Sequence, residues 1–206
     1  MKKFFTYIPM QNPAEILYES DNEKLRMMEL VHFPVVALVN GYAEAGDEIC
    51  VIVMLEEENE TCRENLKRCR EELQEIANRK GVFCYFEEIL VSRDESASAQ
   101  LQTFRKLIDQ MEDYDVLHAC ITFGTKPIPI VELMALNFAY KTRKEVTIAC
   151  IAYGKINWKG KNLPGEGDIY DVTALFYMNE VANLLACAGI QNPAESIARM
   201  LQIGLN

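Results

Sequence analysis

The feature that most constrains the fold of this chain is an unbroken apolar run of seven residues, Ile49–Leu55. A strand with one solvated face alternates apolar and polar residues, whereas this run has no polar position at all. It is therefore typical of a strand that is covered on both faces, as in a parallel sheet with helices on either side. Further strand-like segments follow the same pattern more loosely, at Lys3–Ile8, Val82–Val91, Val116–Thr122 and Val146–Tyr153.

Helical patterns lie between these strands. The clearest begins at the capping box Thr61–Glu64, repeats its apolar residues at helical spacing and ends at Gly81. We expect a helical stretch after Pro13 that is broken near Pro34 and resumes to Ala45. Other helices are predicted at Ala99–Met111, Ile130–Tyr140 and Ala174–Cys187, with a last one from Pro193 to near Ile203. Strand and helix alternate about five times, which predicts an α/β fold with a mainly parallel sheet and helices on both faces.

Composition excludes several classes of protein. Half of the 206 residues are apolar, and 31 acidic against 21 basic residues give a net charge of −10, which argues against a duplex-nucleic-acid partner. No apolar run approaches the ~18 residues of a membrane span, and no signal-peptide cleavage site follows the N-terminus, so we expect neither a membrane partner nor secretion. The seven cysteines form no Cys-x-x-Cys pair, which indicates free thiols in a reducing cytoplasm, no metal site and no cofactor.

The segment that carries chemical information is Thr122–Pro127, between a predicted strand and a predicted helix. Gly124 permits a tight turn, Thr122 and Thr125 offer hydroxyl groups, and Lys126 places a cation beside a helix N-terminus, where anions bind. Ligands of parallel sheets bind at the carboxyl ends of the strands, and the loop Pro9–Pro13 lies there too. We expect a phosphate or phosphodiester site, although an ordinary turn with a surface lysine remains the alternative.

The segment Thr122–Pro127, followed by the apolar stretch Ile128–Tyr140, resembles the Thr-Gly-Gly-Thr-Lys-Pro segment of CARF domains, the Rossmann-like sensor domains of CRISPR systems. Ile151–Gly154 and Ile169–Phe176 are similar to later family motifs and occur in the family's order. The resemblance covers the second half of the chain and departs from the pattern at Phe123, where glycine is usual. It implies that residues 1–190 form a Rossmann-like CARF domain, followed by a short C-terminal helix at 191–206 and by no effector domain.

The resemblance also implies a homodimer that binds a cyclic oligoadenylate, such as cyclic tetra- or hexa-adenylate, across its two-fold axis. Carried over by position, Thr122, Gly124, Thr125 and Lys126 contact the ring. The first loop, which lacks the glycine, serine or threonine often found there, supplies the floor of the site through Met10, Gln11 and Asn12.

Three functions remain open at this point. The protein is a sensor or sink that only binds the ring, a ring nuclease that cleaves it without metal and uses Lys126 as its catalytic cation, or an unrelated Rossmann-like nucleotide-binding enzyme. In the polar segment Lys155–Gly167, Trp158 either stacks on adenine or caps the sheet, and we expect Lys159 to matter less than Lys126. The spacing of Arg26 and His32 matches a ribonuclease signature, but we favour a structural role for His32, and we interpret His118 as a core residue.

Overall fold

The computed structural model describes residues 1–157 and 165–201, which form seven strands and six α-helices. The strands are β1 (Lys2–Tyr7), β2 (Leu17–Glu19), β3 (Glu48–Glu56), β4 (Phe83–Val91), β5 (Val116–Cys120), β6 (Thr147–Ile156) and β7 (Glu166–Asp171). The helices are α1 (Pro34–Tyr42), α2 (Glu60–Lys80), α3 (Ala97–Ile108), α4 (Pro127–Thr142), α5 (Thr173–Cys187) and α6 (Ala194–Leu201), with a short 3-10 helix at Glu23–Leu25.

The strands form one sheet in the order β2-β7-β6-β5-β1-β3-β4, in which every neighbouring pair is parallel except β6 and β7. Helices α1 and α2 pack on one face, and α3 and α4 lie on the other. The predicted α/β, Rossmann-like fold with a mainly parallel sheet is therefore confirmed. From β1 the chain builds outwards through β3 to β4, then crosses back to β5 on the other side of β1.

The apolar run that predicted a doubly covered strand forms β3. All of Ile49–Leu55 is buried. Val51 and Val53 join the core beneath α1 and α2, and Ile52 and Met54 project from the opposite face because successive side chains alternate across a strand. Burial on both faces explains why this segment tolerates no polar residue.

Two local predictions were wrong. The stretch between Pro13 and Pro34 contains β2 and the 3-10 helix instead of an α-helix, because β2 pairs with the distant strand β7 and thereby buries Tyr18. Helix α2 is capped by Asn59, two residues before the predicted N-cap Thr61, since the side chain of Asn59 accepts a hydrogen bond from the amide of Cys62.

The described residues fall into two compact units, Met1–Asp171 and a second unit that begins at Val172 and contains α5 and α6. The first unit contains the whole sheet and helices α1–α4. The predicted domain range 1–190 crosses this division and stays a prediction. None of the helices described here combines the length and the apolar character that crossing a membrane requires.

Candidate functional site

Two loops meet at the carboxyl edge of the sheet. β1 and β5 are neighbours, and Thr6 pairs with Cys120 at their carboxyl ends. The loop after β1 contains Met10–Asn12, and the loop after β5 contains Thr122–Lys126. The strand order reverses between these two strands, and such a reversal opens a crevice that binds ligands in open α/β sheets. The fold therefore brings the two predicted loops to the same side of the sheet.

Gly124 is the residue on which the shape of the second loop depends. Its φ of +105° lies in the left-handed region that side chains disfavour. A β-carbon at this position would also lie 3.2 Å from the side chain of Ile128 and 3.3 Å from the ring of Tyr7. The loop backbone therefore rests directly on the end of β1, which only a glycine permits.

Thr122 has a structural hydrogen bond in this conformation. Its hydroxyl oxygen accepts a hydrogen bond of 2.8 Å from the amide of Gly154 and lies 3.3 Å from the sulfur of Cys120. Gly154 must itself be a glycine, since a β-carbon there would lie 2.7 Å from the ring of Pro34. A hydrogen bond thus joins two of the motifs that carry the family resemblance, Thr122–Pro127 and Ile151–Gly154. Thr122 contributes mainly to holding β5 and β6 together.

Lys126 is exposed at the N-terminal end of α4, and no ion pair joins its side chain to another described residue. From the sequence we expected free helix-terminal amides beside Lys126, and this expectation was wrong. Pro127 and Pro129 have no N–H, and the amide of Ile128 already donates to the carbonyl of Thr125 at 2.9 Å. An anion at this loop is therefore attracted chiefly by the lysine charge.

The first loop is held from below by a residue that the sequence analysis missed. The side-chain amide of Asn65, in α2, donates to the carbonyl oxygens of Pro9 at 2.9 Å and Gln11 at 3.0 Å. Asn65 is buried, whereas the side chains of Met10, Gln11 and Asn12 are exposed above it. A polar residue within the apolar stripe of α2 was the available signal, because a buried amide needs hydrogen-bond partners.

Polar side chains at the ends of the neighbouring strands extend this edge. Glu56, at the end of β3, forms an ion pair of 2.6 Å with Arg93 and accepts a hydrogen bond of 2.5 Å from the side-chain amide of Asn59. Burial, together with the charges of Cys62 and Glu56, raises the pKa of Tyr7 to about 12. Arg93 supplies a second cation at the carboxyl edge, although its ion pair with Glu56 largely balances its charge.

A second missed residue is Glu132, on the sheet-facing side of α4. It lies one turn after Ile128, which contacts Gly124, and no described residue forms a hydrogen bond with its oxygen Oε1. Burial raises the pKa of Glu132 to about 8, so the carboxyl group is mostly protonated at neutral pH. Burial also raises the pKa of Cys120, with a smaller effect from Glu132.

His32 takes the structural role that we favoured, and His118 lies in the core, although no described residue is a hydrogen-bond partner of its Nδ1 atom. The Nδ1 atom of His32 lies 2.5 Å from Glu72, whereas Arg26 donates to the carbonyl of Ser20, and no described contact joins Arg26 to His32. His118 stacks on Phe4 in the core, where burial lowers its pKa to about 4.

Two residues of the sequence argument, Trp158 and Lys159, lie outside the described residues. The polar segment around them is the connection between β6 and β7, which pair as an antiparallel hairpin up to Ile156 and Gly167. No protein-family model matches this chain, and a search of curated proteins found no match to it. The residues at the carboxyl edge of the sheet and the motif resemblance are therefore what indicates a function.

Proposed function

We propose that this protein is a CARF-like, CRISPR-associated sensor or sink that binds cyclic oligoadenylate across a homodimer in the cytoplasm. The observation that carries the proposal is the Gly124–Lys126 loop, which rests on the end of β1. Its lysine is exposed and forms no ion pair with another described residue, and the loop that contains the exposed residues Met10–Asn12 lies at the same edge of the sheet. The seven cysteines are free, in keeping with a reducing compartment and with a role in intracellular antiviral defence.

Electrostatics favours Lys126 as the main contact to phosphate. A chain of net charge −10 repels an anionic ring at long range, so the ring must be attracted by a local cation. Arg93 is engaged by Glu56, and α4 offers no free amides in its first turn, which leaves Lys126 as the unpaired cation of the two loops. A charge-assisted contact of this kind contributes about 1.5–3 kcal/mol.

A homodimer is supported by an apolar row on α4 that begins just after Lys126. Ile130, Met134 and Phe138 recur at four-residue spacing and are 60%, 56% and 45% exposed. A two-fold axis that covers this row would place two copies of the lysine loop near each other. We expect light scattering of dilute protein to give twice the chain mass of 23.5 kDa. A monomer at all concentrations, with or without ligand, would contradict this part of the proposal.

Calorimetric titration of cyclic tetra- and hexa-adenylate tests the binding function. If two copies of Lys126 contact one ring, Lys126→Ala weakens binding by at least about a hundredfold. Lys144→Ala is the matched control, because it removes the same charge from an exposed lysine that stacks on Tyr114 at the amino end of the strands. Unchanged affinity in Lys126→Ala would move the site elsewhere.

The same incubation, carried out with EDTA, separates the alternatives. Cleavage of the ring would assign the protein as a metal-independent ring nuclease, in which Lys126 stabilises the developing charge and the site orients the ribose hydroxyl. Binding without cleavage would support the sensor or sink. Absence of both would leave an unrelated Rossmann-like nucleotide-binding enzyme.

A further inference from the structure

Strand β4 forms an open edge of the sheet. Within the described part of the chain it pairs only with β3, and its other side has no strand partner. The amide of Phe83 donates to Asp47 and the carbonyl of Val91 accepts from Glu57, so the odd-numbered residues direct their backbone groups towards β3. By alternation, Cys84, Phe86 and Glu88 direct their N–H and C=O groups outwards.

The two ends of this edge strand differ in how well they are protected against pairing with another strand. At the carboxyl end, the ammonium group of Lys106 donates to the outward carbonyl of Leu90 at 2.7 Å, and Ile89 and Val91 are buried. At the amino end, Phe83 and Tyr85 are 63% and 52% exposed on the face where α3 and α4 lie. Natural proteins usually protect edge strands with lysines or charges, so a bare edge with exposed aromatic residues indicates a partner strand.

We propose that β4 pairs with β4 of a second copy of this chain, antiparallel and centred on Phe86, so that the two sheets become continuous. This interface is separate from the apolar row of α4 and is separated from the two carboxyl-edge loops by β3, so the proposal does not depend on the ligand. A chain that uses both interfaces forms species larger than a dimer at high concentration. An antiparallel pair centred on Phe86 uses all three outward residues of each strand and forms roughly six backbone hydrogen bonds.

The side chains are self-complementary in this register. Phe83 faces Ile89 and Tyr85 faces Glu87, while Phe86 faces its own copy and Cys84 faces Glu88. No two glutamates lie directly opposite. Glu88 keeps its ion pairs with Arg63 at 2.7 Å and Arg70 at 2.8 Å, which lie on the α2 side. Shifting the centre towards the carboxyl end, to Glu87 or Glu88, would place identical glutamates opposite each other, which is destabilising. The charge pattern therefore disfavours the registers centred on Glu87 or Glu88. The register centred on Phe86 also pairs more of the outward residues of β4 than one centred nearer the amino end of the strand.

Amide hydrogen exchange measured residue by residue tests the pairing directly. The outward amides of Cys84, Phe86 and Glu88 are expected to exchange fast in dilute protein and to become protected at high concentration. The inward amides of Tyr85 and Glu87, which donate to β3, serve as internal controls and stay protected at both concentrations. Outward amides that exchange equally fast at every concentration would overturn the proposal.

A charge-swap series in sedimentation velocity tests the register. Tyr85→Glu places a carboxylate opposite Glu87 at each of the two symmetry-related positions and is expected to weaken the β4 association roughly two- to thirtyfold. Combining it with Glu87→Lys restores opposite charges and recovers the association, and Tyr85→Lys alone maintains it. Because Tyr85 is half exposed, the circular dichroism spectrum should not change in these variants. If Tyr85→Glu leaves the strength of association unchanged, or if the double variant does not restore it, the pairing centred on Phe86 is refuted.

Discussion

Replacing Gly124 with alanine tests how tightly the second loop rests on β1. An alanine at φ +105° has the steric strain of a left-handed residue, about 1–2 kcal/mol. Its β-carbon also meets Ile128 at 3.2 Å and Tyr7 at 3.3 Å, and both neighbours are buried and cannot move aside freely. Overpacking of this kind costs about 1–3 kcal/mol. We expect Gly124→Ala to lower the free energy of unfolding by roughly 2–5 kcal/mol.

Gly46→Ala is the matched control, because Gly46 has a φ of +89° but nothing lies within 4 Å of its built β-carbon. This variant should lose only the backbone strain, about 1–2 kcal/mol. Urea unfolding followed by circular dichroism measures the free energy of unfolding of both variants. In a separate thermal scan, the melting temperature of Gly124→Ala should fall by about 4–20 °C. If Gly124→Ala is no less stable than Gly46→Ala, the close approach of the loop to Tyr7 and Ile128 is not real.

Two further predictions concern the residues that the sequence analysis missed. Asn65→Ala removes both donors to the loop carbonyls of Pro9 and Gln11. It should lower the free energy of unfolding by about 1–3 kcal/mol and loosen the Met10–Asn12 loop. Urea unfolding that matches the wild type would contradict this prediction. Burial raises the folded pKa of Glu132 from 4.5 to about 8, so the folded state retains a proton that the unfolded state releases. The stability from this group is fully present below pH 4.5 and is lost as the pH rises through about 8, by a few kcal/mol in all. Glu132→Gln should remove that slope from a pH series of unfolding curves, and an unchanged slope would assign it to another group.

The sequence alone determined the parts of the fold that depend on local patterns. The apolar run of β3 predicted a doubly covered strand, the helical stripe and Gly81 located most of α2, and the strand–helix alternation predicted the parallel sheet. These succeeded because burial on two faces, helical periodicity and a left-handed C-cap each leave a signature within a few residues. The loops at Pro9–Pro13 and Thr122–Pro127 followed from the same alternation, because the carboxyl ends of parallel strands share one edge.

Only the tertiary structure decided the features that join distant segments. β2 forms because β7, about 150 residues later, pairs with it, and the sequence around Tyr18 does not indicate that partner. Asn65 holds a loop more than 50 residues away, and Glu132 acquires its raised pKa from the apolar layer into which α4 is packed. Likewise, whether β4 lies inside the sheet or at its edge depends on the order of all seven strands. Hydrogen-bond partners, burial and strand order are properties of the assembled chain, so short-range periodicity does not encode them.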